Sequence, residues 1–313
     1  MEGIVIKSTG SWYEVHCDDR LYRSRIVGKL RLADKTFTNP VGVGDRVLIE
    51  PEPGTSDQAI ITEVLDRKNY VVRQSPRQKH QMHLIAANID QAIVLVTAKS
   101  PELKPGFIDR YLLMTEPQDI PAIIVFNKVD IYDDEAWEKY QYFEEIYTDI
   151  GYPVMAVSAE KGNGMTEISA LLSGKITLIG GQSGVGKSTL ISALFPHLDL
   201  RTGDISSHTG KGTHTTTFAQ MFAIDAQGYI IDTPGIKTLS YNNLEKMDVA
   251  HNFREFFTLS GQCRFGGSCT HTSEPGCEVI AAVEAGTVSP YRYQTYLAIL
   301  DEIDSQNYWE RKN

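Results

Sequence analysis

Gly181-Gln182-Ser183-Gly184-Val185-Gly186-Lys187-Ser188 constrains this chain more than any other stretch. It has the pattern G-x-x-x-x-G-K-S, set between an apolar run at 176–179 and Thr189-Leu190-Ile191-Ser192-Ala193-Leu194, which can continue as a helix. Strand, glycine loop and helix in that order predict a phosphate cradle at the carboxyl end of a strand in a parallel sheet. The glycines let the backbone wrap a phosphate without Cβ clashes, and the helix N-terminus adds positive partial charge. In such a loop Lys187 reaches the β- and γ-phosphates and Ser188 ligates Mg²⁺. A glycine-rich turn with a chance lysine is the bland alternative, and the flanking strand and helix argue against it.

The cradle does not select a base. Asn127-Lys128-Val129-Asp130 does, since it follows the apolar run 123–126 directly. A carboxylate at Asp130 accepts from guanine N1–H and from the exocyclic amine, whereas adenine leaves that charge poorly partnered. Asn127 can tie base and loop together, and the Lys128 stem can cover the ring face. Ser158-Ala159-Glu160, after 154–157, fits a second base-side loop with a backbone N–H toward guanine O6. Asp232-Thr233-Pro234-Gly235 follows Tyr229-Ile230-Ile231, so Asp232 can hold Mg²⁺ through water and the Gly235 N–H can approach the γ-phosphate. Between them, Gly210-Lys211-Gly212-Thr213-His214-Thr215-Thr216-Thr217 suits a loop ordered by a γ-phosphate. Thr216 is expected to complete the metal shell, with Thr215 second.

The base loops precede the phosphate loop, the reverse of an ordinary GTPase. One sheet can hold the same site if its termini are moved, because chain ends tolerate relocation. A circularly permuted GTPase domain follows, with the Asp232 turn leading directly into the C-terminal residues.

At 313 residues the chain exceeds one hydrophobic core. We expect a β-barrel over 1–68, the permuted domain over 69–239 as a parallel sheet with helices, and a helical zinc-binding domain over 240–313. In the first segment Tyr13, Val15 and Cys17 alternate with polar neighbours and turn signals recur, which fits a five-stranded oligonucleotide-binding (OB) barrel or an SH3-like one. Cys17 reads as a small buried hydrophobe. Arg20, Arg23, Arg25, Lys29, Arg31 and Lys35 give the barrel a basic middle. The polar stretch 75–83, with Arg77, Lys79, His80 and His83, reads as a linker. Near the C-terminus, Cys263-x5-Cys269-x-His271-x5-Cys277 gathers three of the four cysteines with a histidine. Three thiolates and an imidazole suit tetrahedral Zn²⁺, and a full ligand set leaves no open position, so the zinc is expected to be structural.

Thirty Lys and Arg against forty Asp and Glu give a net charge of −10, which argues against a general nucleic-acid coat while allowing local basic faces. Apolar runs such as 92–98 and 120–126 fall far below the roughly 20 residues that span a bilayer. With no basic leader at Met1-Glu2-Gly3, no membrane association and a cytoplasmic location are expected. No heptad pattern argues for self-association, so a monomer is expected.

The barrel, the permuted motif order and the Cys₃His cluster together resemble the bacterial small-subunit-dependent GTPase A (RsgA, or YjeQ) family over essentially the whole chain. The resemblance implies an OB-type domain, a GTPase core and a zinc domain. It also implies conversion of GTP to GDP and phosphate stimulated by the 30S ribosomal subunit, with 16S rRNA as a partner in late maturation near the decoding region. The first gap between zinc ligands is one residue longer than the family pattern, within the Gly266-Gly267 turn. Ile236 stands where many GTPases place a water-orienting glutamine, so His214 is the candidate for that task. Gly184 occupies the position where some relatives carry a K⁺-binding asparagine, which weakens a K⁺ role. A GTP-binding regulator of a protein complex, without direct RNA contact, is the alternative. A P-loop ATPase or metabolic kinase conflicts with Asn127 to Asp130.

Overall fold

The computed structural model describes residues 1–18, 20–28, 37–74, 82–196, 198, 219–232 and 244–310. The N-terminal strands β1 (Glu2–Thr9), β2 (Trp12–Cys17), β3 (Arg20–Ile26), β4 (Arg46–Pro51) and β5 (Gln58–Val64) form a closed barrel. The ladder runs β1-β2-β3-β5-β4 and returns to β1, with β3 and β5 parallel. This barrel is OB-like, which decides between the two expected forms. Tyr13, Val15 and Cys17 all point into its core beside Val5, Val47, Ile49 and Ile61. Gly3 is required in β1, since a Cβ there would sit 2.6 Å from Val15 Cγ1 and 2.9 Å from the His16 carbonyl.

The expected linker is partly a strand. Residues 75–81 lie outside the described residues, but Met82 and His83 open β7 (Met82–Ala87), which pairs with β6 (Tyr70–Gln74) as a hairpin. The polar composition misled because the partners are distant in sequence. Thr38 N–H donates to the Met82 carbonyl at 2.8 Å, and the Asn39 side chain holds both backbone groups of Leu84. The fully buried Asp45 receives a two-pronged Arg67 guanidinium at 2.7 and 2.8 Å, which locks the barrel's end to the entry of this hairpin.

The central domain alternates β8 (Gln91–Val96), α1 (Phe107–Thr115), β9 (Ala122–Phe126), α2 (Asp134–Asp149), β10 (Val154–Ala156), α3 (Met165–Leu172), β11 (Ile176–Gly181), α4 (Lys187–Leu194), β12 (Gln220–Ala223) and β13 (Tyr229–Asp232). Strands β10-β9-β8-β11-β13 are parallel, and β12 closes the row antiparallel. Ala92, Val94 and Val96 of β8 face one core while Ile93 and Leu95 face the other, as a sheet covered on both sides requires. On the far side β12 meets barrel strand β1 through Lys7 opposite Gln220, and His16 Nδ1 lies 3.1 Å from the Tyr229 hydroxyl.

Helices α5 (Lys246–His251), α6 (Arg254–Ser260), α7 (Glu278–Glu284) and α8 (Pro290–Glu310) build the C-terminal region around a core of its own. Leu113 of α1 enters that core, so the region is seated on the central domain. Among the described residues no helix is long and apolar enough to cross a membrane.

Candidate functional site

The loop from Gly181 to Ser188 joins β11 to α4 at the carboxyl edge of the parallel sheet, where the sequence pattern places it. Two of its glycines are dictated by space, and Gly186 by its dihedrals as well. A Cβ on Gly181 would meet the Leu95 carbonyl at 2.3 Å; one on Gly186, whose φ is +94°, would lie 2.5 Å from Asn127 Nδ2. Val185 is buried and anchors the loop, Ser183, Gly184 and Thr189 are exposed, and Lys187 and Ser188 are half-buried. Lys187 Nζ reaches toward the Gly181 carbonyl at 3.4 Å.

The two loops that stand far apart in sequence are bonded to each other. Buried Asn127 donates from Nδ2 to the Val185 carbonyl at 2.9 Å, and its Oδ1 accepts from the Ala159 N–H at 3.1 Å. One side chain thus ties the Asn127 loop, the Ser158 loop and the phosphate loop. Lys128, at φ +66°, sends its ammonium to the Gly184 carbonyl at 2.6 Å and to the Ser100 carbonyl at 2.8 Å. Asp130 is exposed, and its Oδ1 accepts from Ser158 Oγ, which itself accepts from the Lys161 N–H at 3.0 Å. The carboxylate is therefore held in one orientation. Val129 donates its N–H to the Val157 carbonyl at 3.2 Å and so pairs the two base-side loops.

Two participants escaped the sequence reading. The Tyr132 hydroxyl accepts from the Ala98 N–H at 2.8 Å and donates to the Asn127 carbonyl at 3.0 Å. The Ser100 carbonyl holds Lys128 from a segment that carries no motif. A tyrosine two residues after Asp130 was a readable signal; a backbone carbonyl was not.

Asp232 ends β13 next to β11, in register with Ile179. Asp232 Oδ1 and Gln182 Oε1 are buried with no protein partner among the described residues. Buried polar atoms are normally bonded, so each of these oxygens has room for a partner beyond the described residues, water and ions included. Burial raises the Asp232 carboxyl above the usual carboxylate range, and the Lys187 charge offsets part of that rise. The native state then holds this proton more tightly than the unfolded chain, and stability falls as pH rises out of the ordinary carboxylate range. Asp232→Asn should accordingly raise the melting temperature of the nucleotide-free protein at pH 7.5, about 2–4 °C for each kcal/mol recovered. The gain should vanish near pH 4, while GTP turnover is lost. Thermal unfolding at the two pH values checks this, and an unchanged melting point at pH 7.5 refutes it. The loop bearing His214, Thr215 and Thr216, and the turn with Gly235 and Ile236, lie outside the described residues.

The ligand atoms of Cys263, Cys269, His271 and Cys277 lie within 4.8 Å of one another and all four residues are buried. His271 Nδ1 faces the sulfurs, 3.4 Å from Cys277 and 3.7 Å from Cys263, and the residue takes φ +55° to do so. Glu274 shapes that bend. Burial opposes its charge, yet the Thr270 hydroxyl and the N–H groups of Thr270 and Thr272 hold its carboxyl down at about 2. The Tyr293 hydroxyl fixes the His271 carbonyl at 2.8 Å, and the Glu278 N–H reaches Cys263 Sγ at 3.3 Å. Burial pushes the Cys269 thiol up to about 12 and raises Cys277 as well. Three buried sulfurs and an imidazole turned inward make a set that can hold a metal ion.

The RsgA GTPase family model matches residues 64–242, and the RsgA N-terminal domain model matches residues 2–61. "Small ribosomal subunit biogenesis GTPase RsgA 2" of Bacteroides thetaiotaomicron is 46% identical over 98% of this chain and 99% of its own length. The protein named "Small ribosomal subunit biogenesis GTPase RsgA" in Cytophaga hutchinsonii is 47% identical over 97% and 99%. The crystal structure of YjeQ from Thermotoga maritima superposes with a TM-score of 0.77 at 34% identity, covering 96% of this chain and 98% of that one. YloQ, described as a circularly permuted GTPase, gives a TM-score of 0.73 at 29% identity over 97% and 95%. A base clamp encoded before its phosphate loop, an OB-like barrel ahead of both and a Cys₃His cluster behind them have one common explanation: the chain belongs to the RsgA family of circularly permuted GTP hydrolases.

Proposed function

We propose that this chain is a GTP-operated factor in maturation of the small ribosomal subunit, that the subunit stimulates its turnover, and that it contacts 16S rRNA. The observation that supports the nucleotide part is the Asn127–Val185 bond, which ties the loop we read as guanine-selecting to the loop we read as phosphate-binding. Asp130 reads the base, Lys128 covers it, and Gly181 to Thr189 receive the phosphates, with Lys187 placed toward the β- and γ-phosphates. Ser188, Asp232 and Thr216 would hold Mg²⁺, which spreads the charge of the β- and γ-oxygens when bound with nucleotide. The orphaned Asp232 oxygen fits that task. The γ-phosphate also meets the Gly235 N–H, while His214 accepts a hydrogen bond from the attacking water in place of the absent glutamine.

The ribosomal part rests on relatives that carry that name across the full length of the chain. The barrel supports the RNA contact. Arg23 and Arg25 lie 4.2 and 5.2 Å from the Trp12 ring centroid, an aromatic and cationic face suited to unstacked bases and phosphates. The Cys₃His centre is assigned to structural zinc, and the protein works as a soluble cytoplasmic monomer.

The test is GTP turnover with and without purified small subunits. The wild-type rate should rise on addition, and His214→Ala should lose about 10²–10⁴ of the stimulated rate with GTP affinity retained. A rate indifferent to subunits refutes the ribosomal reading, and an unchanged variant dismisses His214.

A further inference from the structure

The C-terminal region grips α1 with a set of bonds more elaborate than docking alone demands. Arg292 of α8 is buried, with 2% of its side chain exposed. Its guanidinium donates to Asp109 of α1, and in two prongs to Glu255 of α6 at 2.8 and 3.0 Å. Phe253 lies against its face at 4.2 Å. Tyr147 of α2 donates its hydroxyl to the same Asp109 oxygen at 2.6 Å. One residue before α1, the Gly106 N–H donates to the Tyr291 hydroxyl at 2.8 Å, and a Cβ on Gly106 would meet Thr295 at 2.6 Å. Arg110 pairs with Glu302, and Arg254 forks onto Glu116 at 2.8 and 3.0 Å. Helix α1 is therefore held from the C-terminal side at its start, middle and end.

The other side of α1 belongs to the nucleotide site. Tyr111 is fully buried against β11, and its ring fills the space where Gly180 would carry a Cβ, at 2.2 Å. The segment that leads into α1 reaches the site itself. The Ser100 carbonyl holds Lys128, Pro101 lies 3.7 Å from a Cβ built on Gly184, and Lys99 pairs with Asp133 at 2.6 Å. The contacts of Arg292 and Tyr291 at α1 and the Ser100 contact with the Lys128 ammonium are thus joined through the short backbone stretch 100–106.

We propose that Tyr291 and Arg292 are positioning residues for the nucleotide: by fixing α1 they fix the Ser100 carbonyl, and so hold Lys128 in place beside Gly184. This rests on the reading of Lys128 as part of the guanine site. It assigns the C-terminal region a role at that site that does not pass through the Asp232 turn. A backbone carbonyl is a rigid anchor only if its own segment is fixed, and small displacements of a positioning group cost binding steeply. The buried Asp109–Arg292 pair fits such use. Ion pairs of this kind contribute little net stability compared with apolar packing, and a role in specifying geometry is the use this proposal gives them.

The test is titration of full-length protein with the fluorescent nucleotide mant-GDP. Tyr291→Phe removes only the hydroxyl that accepts from Gly106, and should weaken binding about fivefold with C-terminal metal content unchanged. Arg292→Lys keeps the charge but loses the fork, and should weaken it about tenfold. Both effects should disappear in a Lys128→Met background, where the relay has no endpoint, so that Lys128→Met and Lys128→Met/Tyr291→Phe bind within twofold of each other. Wild-type affinity in both single variants overturns the proposal, as do losses that simply add to that of Lys128→Met. A wild-type chain that fails to bind mant-GDP overturns the nucleotide reading itself, and this proposal with it.

Discussion

Asp130→Asn should lower the affinity for GTP by about 10²–10⁴ and create affinity for xanthosine triphosphate. Guanine offers two donors on this edge, N1–H and the amine, and the ionised carboxylate accepts both. Hydrogen bonds to a charged group contribute about 1.5–3 kcal/mol each. An asparagine supplies one acceptor and one donor, so its NH₂ opposes the guanine amine yet matches the carbonyl of xanthine. Ser158 keeps its bond, because its hydroxyl donates to whichever oxygen remains. Calorimetry with GTP, XTP and ATP checks the result. Undiminished GTP selectivity in the variant would remove the base assignment and leave only a phosphate loop.

Removing the zinc proposed for the Cys₃His centre should have an equally large effect at the other end of the chain. Structural zinc contributes about 10–16 kcal/mol of apparent binding free energy in small modules, comparable to or larger than the net stability of a whole domain, roughly 5–15 kcal/mol. The C-terminal core is built around the cysteines themselves, with Phe253, Phe256, Val279 and Tyr296 in the same cluster. Cys269→Ser, or a strong chelator, should therefore release zinc and melt α6, α7 and the start of α8. Metal analysis and amide hydrogen exchange measure the two effects. Exchange protection unchanged after complete metal loss would mean that the thiols pack as ordinary hydrophobes.

Much of the site was legible because its chemistry is local. Gly181 to Ser188 and Asn127 to Asp130 each carry their proposed function in a few consecutive residues, and the apolar runs before them fixed their place on the sheet. The Cys₃His spacing was legible for the same reason. What escaped depends on pairs of residues far apart in the chain. The β6–β7 hairpin is held by Thr38 and Asn39, more than forty residues away from their partners. Composition there suggested a tether, because His83 and its neighbours are polar whether paired or not. The choice between two barrels depended on which strands meet, and the parallel β3–β5 pair has no local signature. Ser100 contributes through its backbone, where side-chain identity says nothing.

Among the described residues, the outer neighbour of β12 is the first strand of the barrel, joined at Lys7 and Gln220. Bare strand borders invite pairing with other molecules, and natural folds shield them. The rearranged GTP-binding module thus has its vulnerable margin sheltered by the segment synthesised before it. Cutting the chain near residue 64 to study hydrolysis in isolation would strip away that shelter and favour clumping.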